Sequence, residues 1–207
     1  MTASLIFSTA LDPPRSSNLT TSRDLTTRLR ALHKVAAKHT VDAAIAKHQA
    51  EALRSLTDST VTEFDTGHIA SQARINVLRS VTTSKLTAPH FWDKAWRIII
   101  DHDAPQPAQR FAICWAYKHI LDANQTQPVE NGHVVATDFA DHLLAPIDRL
   151  QQLINDGTTE PQTLGQIFNA PLDVIHRQLE SIDSRRSIHR PVKQSDKRCN
   201  QSAKETT

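Results

Sequence analysis

Apolar residues recur at steps of three and four between Asp24 and Leu56: Leu25, Leu29, Leu32, Val35 and Ala36, then Val41, Ile45, Ala52, Leu53 and Leu56. Such spacing draws an apolar stripe along one side of a helix. Thr21-Ser22 offers an N-cap, and His39-Thr40 divides the run in two. Residues 60–66, TVTEFDT, alternate in polarity and predict a short strand, while Ile75, Val77 and Leu78 fit either a strand or a helix. AWRIIIDHD (95–103) is the strongest strand, a β-branched run that DAPQP stops. A helix is predicted over 108–122, then a loop from Asn124 to Gly132 and a second helix from Val134 to Ala145. Pro146 opens a further turn or helix toward Ile154. Thr163 to Phe168 and Leu172 to Ile182 read as two short helices joined by Asn169-Ala170-Pro171.

This pattern divides the 207 residues into a leader (1–22), a helical extension (23–58), a main domain (59–183) and a tail (184–207). Only four glycines interrupt the chain, which favours helix; the expected class is mostly helical α+β with a small antiparallel sheet. The start MTASLIFSTALDPP lacks a basic opening and a long apolar core, so export is not expected. No apolar run reaches the ~20 residues of a membrane span. Cys114 and Cys199 form no metal-like pair and suit a reducing cytoplasm.

Charge changes the picture at the C-terminus. Arg185, Arg186, Arg190, Lys193, Lys197, Arg198 and Lys204 face only Asp196 and Glu205. Taking that +5 from the total of +2 leaves −3 on residues 1–184. The tail has almost nothing to bury and is expected to be disordered. Its cations make nucleic acid an alternative partner, against the plainer reading of a solvated terminus. Arg23, Arg28, Arg30, Lys34, Lys38, Lys47 and Arg54 give the first helical region a basic side, open to the same two readings.

Three blocks carry a resemblance: RIIIDHDAPQPAQRFAICWAYKHIL, VATDFADHLLAPIDRL and TEPQTLGQIFNAPLDVIHRQLE. In this order they resemble a strand, an active-site helix, a supporting helix and a closing helix-turn-helix-like pair of the ImmA/IrrE family of zinc-peptidase-like proteins, over roughly residues 95–180. The resemblance implies a zincin-like helical core. In that family His-Glu-x-x-His puts two imidazoles on one helix face to hold zinc, and the glutamate handles the proton of a metal-bound water.

Here the motif falls on Trp115, Ala116, Tyr117, Lys118 and His119, and the later acidic ligand on Val135. Only His119 retains a ligand. An indole donates one N–H and cannot bind a metal, and alanine moves no proton. Zinc is therefore not expected, nor is catalysis of the family type. Trp115 is expected to lie against His119, with Val135 as a third wall. Burying such a ring contributes about 2–3 kcal/mol. A rearranged metal site would draw on Asp101, His102, Asp103, Asp122, His133, Asp138, Asp141 or His142.

The resemblance implies a non-catalytic regulator, on a phage or mobile element, that binds a repressor-like or other DNA-associated protein. Two alternatives stand beside it. One is a DNA-binding regulator using the C-terminal helix pair and tail, with His176 and Arg177 as candidates on the second helix. The other is a metallopeptidase with a relocated site.

Overall fold

A computed structural model of the chain describes residues 25–31, 42–57, 62–81, 86–123 and 131–188. The leader, the proposed Thr21-Ser22 cap, the His39-Thr40 break and the tail beyond Ile188 lie outside the described residues. Within them the protein is mostly helical with one small sheet. Helix α1 covers 25–31 and α2 Asp42–Leu56, followed by one turn, α3, at Gly67–Ala70. Strands β1 (Ile75–Ser80), β2 (His90–Trp92) and β3 (Ala95–Asp101) come next. Five helices complete the chain: α4 (Gln106–Asp122), α5 (Gly132–Leu144), α6 (Ile147–Asn155), α7 (Pro161–Phe168) and α8 (Leu172–Ile188).

The sheet is mixed, not antiparallel. Its order is β1-β3-β2, with β1 parallel and β2 antiparallel to β3. β3 has the longest β-branched run and takes the centre, where strands bury most. The chain leaves β1, crosses to the far side of β3 and returns through a two-residue turn, Asp93-Lys94. Both turn residues have positive φ, 47° and 63°, as the tightest hairpins require. Neither is glycine or asparagine, so the usual hairpin signal is missing and β2 went unpredicted. Ile75, Val77 and Leu78 resolve to strand. Residues 62–66 of the expected first strand bend instead, and Asp65 Oδ1 accepts from the Gly67 N–H at 2.7 Å to open α3.

Helix α4 begins at Gln106, two residues before the predicted start. Pro107 fits the first turn because its missing N–H has no helical partner there. Its buried residues lie all around its axis, from Arg110 to Leu121, so α4 is the central helix. One side packs on β3 and the other on α5; α2 and α8 pack in turn on α5. Phe139, Ala140, Leu143, Leu144 and Ala145, all fully buried, make the FADHLLA face of α5 the middle of the core.

Two arginines of the basic N-terminal region point inward. Arg30 Nη2 donates to the Ile120 carbonyl at 2.8 Å, and Arg54 Nη1 to the Leu143 carbonyl at 2.7 Å. Each satisfies carbonyls that the last turn of a helix leaves unpaired, at the negative end of its dipole. Lys47 faces Glu51 at 3.5 Å. Among the described residues the basic side is thus largely spent on the fold.

Helix α8 runs to Ile188, six residues past its predicted end, so the first residues assigned to a disordered tail, Arg185 among them, are helical.

Candidate functional site

The second half of α4 places Trp115 and His119 on one face, since residues four apart stand one turn above each other. Their rings meet edge to face, centroids 4.3 Å apart and planes at 67°. Trp115 is 5% exposed. The flat side of its indole is covered from α5 by His133, stacked at 5.5 Å and 7°. His133 also meets His119, at 5.3 Å. Asn131, in the left-handed conformation at φ 56°, turns the chain into α5 and brings His133 here. Val135 is buried in the core, but the ring contact from α5 belongs to His133, two residues earlier.

Burial lowers the pKa of His119 first, and His133 and Lys118 lower it further against an opposing pull from Asp122. The imidazole is neutral at neutral pH. Its Nε2 is buried with no hydrogen-bond partner among the described residues. The remaining motif positions serve packing. Ala116 is buried, and Tyr117 donates its O–H to Gln72 Oε1 at 3.0 Å. Lys118 is 1% exposed and donates to both Asp122 oxygens, at 2.6 and 2.8 Å. That pairing leaves a buried cation without an uncompensated charge. Cys114, fully enclosed, has its thiol pushed up to about 12 by burial, so it is no nucleophile.

The first turn of α4 is anchored separately. Arg110 pairs with Glu63 and donates to the Phe64 carbonyl at 2.6 Å. Asn169, in the left-handed conformation that ends α7, donates to the same Glu63 at 2.8 Å. Through Glu63, Arg110 therefore ties α4 to the 62–66 segment and the α7–α8 corner.

The residues that would rebuild a metal site lie in separate places. His102 Nδ1 is 3.0 Å from Asp103 Oδ1 on the exposed end of β3, and Asp101 Oδ1 accepts the Asp103 N–H at 2.9 Å. Asp122 is held by Lys118. Asp141, 5% exposed, receives Arg177 through two hydrogen bonds of 2.7 and 2.8 Å, and Arg177 also reaches Asp173 at 2.9 Å. The Arg177 guanidinium lies 5.7 Å over the Phe111 ring as well. His142 is 3.3 Å from Gln178 across the same α5–α8 seam. Asp138 lines the groove beside them with Arg185.

Among the described residues no three His, Cys, Asp or Glu side chains come together in a way that could hold an ion. The donor set at the motif does not fit zinc: one imidazole, with an indole and two aliphatic side chains at the other positions. His133, one of the residues named for a rearranged site, adds a second imidazole beside the first, though its stacking on Trp115 joins two helices and no local pattern encodes it. The Asp141–Arg177 pair was missed for the same reason, since it joins residues 36 apart. In comparisons with known proteins, no family model, no curated protein and no solved structure matches the chain.

Proposed function

We propose that the protein is a non-catalytic regulator of the ImmA/IrrE type, acting in the cytoplasm by binding a repressor-like or other DNA-associated protein, on a phage or mobile element. The observation that carries this reading is the contact of the buried Trp115 indole with His119 and, from α5, the exposed His133, on the helix where the resemblance puts a metal and its water. An indole there excludes water and offers no lone pair to an ion. The helix packs between the sheet and α5, which supports a fold retained for binding without the chemistry.

A DNA-reading role for α7 and α8 is less supported. Arg177 is engaged by Asp141 and Asp173, which leaves His176 as the one candidate of the two on α8 without a carboxylate partner among the described residues.

The test is metal content together with thermal melting of the full chain, with and without a chelator. Zinc at trace level and an unchanged melting temperature are expected. Stoichiometric zinc, or a melting temperature that the chelator lowers, overturns the proposal in favour of a relocated site built on His119 and His133.

A further inference from the structure

The strand order β1-β3-β2 leaves one side of β1 without a neighbouring strand among the described residues. The ladder shows which backbone groups face that side. Trp96 N–H donates to the Arg74 carbonyl at 2.6 Å, and His102 N–H to the Ser80 carbonyl at 3.0 Å. Parallel pairing turns alternate residues of a strand toward its neighbour. Arg74 and, along β1, Asn76, Leu78 and Ser80 therefore bond to β3, while Ile75, Val77 and Arg79 turn the other way. The Ile75 N–H is taken by the Gln72 carbonyl at 3.1 Å. That leaves the Ile75 carbonyl and both backbone groups of Val77 and of Arg79 without a partner among the described residues. Such a row is a template for another strand, and proteins blunt it with proline, lysine or a bulge. β1 has neither residue, and its unbroken register with β3 leaves no bulge.

An open groove runs along this edge. Gly67 and Ala70 of α3, Val77 and Arg79 of β1, Arg97 of β3 and Ile113 of α4 contribute to its lining. By register Val77 and Arg79 lie on the core side of the sheet, beside Ile98 and Ile100, and Asn76 and Leu78 on the outer side. Val77 is half-buried, Arg79 is exposed, and Leu78 is 43% exposed. Ile113 stands on the opposite side of α4 from Trp115, so the groove is apart from the Trp115 cluster.

Charge selects the occupant. Neither Arg79 nor Arg97 has an ion-pair partner among the described residues, and none of the described residues lining the groove is a carboxylate. The nearby acids are directed elsewhere. Asp65 accepts the Gly67 N–H, Asp101 accepts the Asp103 N–H, and Asp93 lies in the β2–β3 turn. A second copy of β1, INVLRS, would bring another arginine and no carboxylate. The leader, 1–22, has only Asp12, and Pro13-Pro14 beside it cannot donate to a ladder. Phosphates of a nucleic acid would use the arginines and leave the backbone edge unpaired.

We propose that the open edge of β1 takes an extended segment of a partner protein as a fourth, antiparallel strand. An acidic side chain of that segment lies beside Arg79, and apolar ones lie beside Val77 and Leu78. Backbone hydrogen bonds hold a strand added in this way, and side chains at alternate positions select it. The inference rests on the protein-binding role proposed above and names the surface and the kind of segment bound.

The test is fluorescence anisotropy of capped, labelled peptides with the full chain. Their core is Glu-X-X-Glu-X, with X valine, isoleucine, leucine or phenylalanine. Run antiparallel, the first residue faces Arg79, the second Leu78, the third Val77 and the fourth Asn76, on the row of Arg97. Expected are binding by at least one of the four and a loss of about tenfold when both glutamates become lysine. A backbone N-methyl group on the third residue removes the donor to the Val77 carbonyl and should cost about fivefold or more. The same group on the second residue, whose N–H points away from β1, should cost little. Arg79→Glu in the protein should put the lysine peptide ahead; Arg79 is exposed, and circular dichroism reports that the fold is intact. The proposal is overturned if none of the four peptides binds at low salt, if the lysine peptide binds the wild type equally, or if both N-methyl peptides lose the same factor. Two further results overturn it by naming another occupant. A dimer of the free chain that the peptide disperses, seen by sedimentation, assigns the edge to a second copy. Tighter peptide binding after changing Leu5, Ile6 and Phe7 to Ser assigns it to the leader. Zinc content of the same samples separates this proposal from the one it rests on. Trace zinc without peptide binding removes this edge alone, and stoichiometric zinc with the full peptide pattern removes the non-catalytic reading alone.

Discussion

Trp115→Ala should cost about 3–5 kcal/mol of stability, the range for emptying a large aromatic site in a packed core. For a chain of this length that is a fall in melting temperature on the order of 10 °C. The indole is enclosed by the core on one side and by the His119 and His133 rings on the other. Neither imidazole can follow it inward without leaving its own helix. The cavity should therefore persist and admit water to the His119 ring. That adds a second signature. Burial is the main cause of the lowered His119 pKa, so wetting the site should move its titration, followed by NMR, back toward the ordinary histidine value. Trp115→Phe keeps part of the packing and should fall between the two. A variant within 1 kcal/mol of wild type, with His119 titrating as before, would show that the indole fills nothing of consequence.

How much of this was legible beforehand depends on the range of the interaction concerned. Period and punctuation located β3 and the starts of the helices after it to within a few residues, because AWRIII, the prolines at 105, 107 and 146, and Asn169 act on their own neighbourhood. The same signals leave α6 open between turn and helix, and α8 runs six residues beyond its expected end. They failed where tertiary contacts decide. TVTEFDT alternates like a strand, yet Glu63 and Phe64 are held by Arg110 from α4, nearly fifty residues on, and that segment bends to meet it. β2 is three residues long and acquires its identity only from pairing with β3. Sheet direction depended on where β1 joins, which no local pattern encodes.

The site shows the same division. The contact between Trp115 and His119 follows from helical spacing and was expected. The stacking of His133 on Trp115 joins two helices, and no local pattern encodes it. Arg177, a candidate for DNA contact in the sequence, is engaged by Asp141, which lies on another helix.

That pair gives the second large effect. Arg177→Ala should destabilise the protein by about 3–5 kcal/mol at pH 8, where Asp141 would remain as a buried carboxylate with its cation gone. The penalty should shrink in acid, and its sign can be worked out. Burial already pushes the Asp141 carboxyl up to about 6, with Arg177 pulling the other way and Asp138 and Asp173 adding to the rise. Without Arg177 the folded-state value rises further, while the unfolded value stays near the model-compound 3.8. A folded state that holds its proton more tightly loses stability as pH climbs from the unfolded value through the folded one. The variant should thus approach wild type near pH 4 and fall away above pH 6. His142, the next residue, works in the opposite sense. Burial, Lys47 and Arg185 lower it to about 4, so the folded state resists its protonation and stability rises with pH up to the unfolded value of 6.5. In the wild type the two slopes oppose one another, and this seam contributes little net pH dependence between about pH 4 and 6. Arg177→Ala should expose a slope that the wild type conceals, and adding Asp141→Asn should abolish most of both the slope and the loss at pH 8. Urea melts of the four proteins at pH 5 and pH 8 form the double-mutant cycle that measures it. An equal loss at both pH values would mean that Arg177 acts through its packing on Phe111, not through the buried carboxylate.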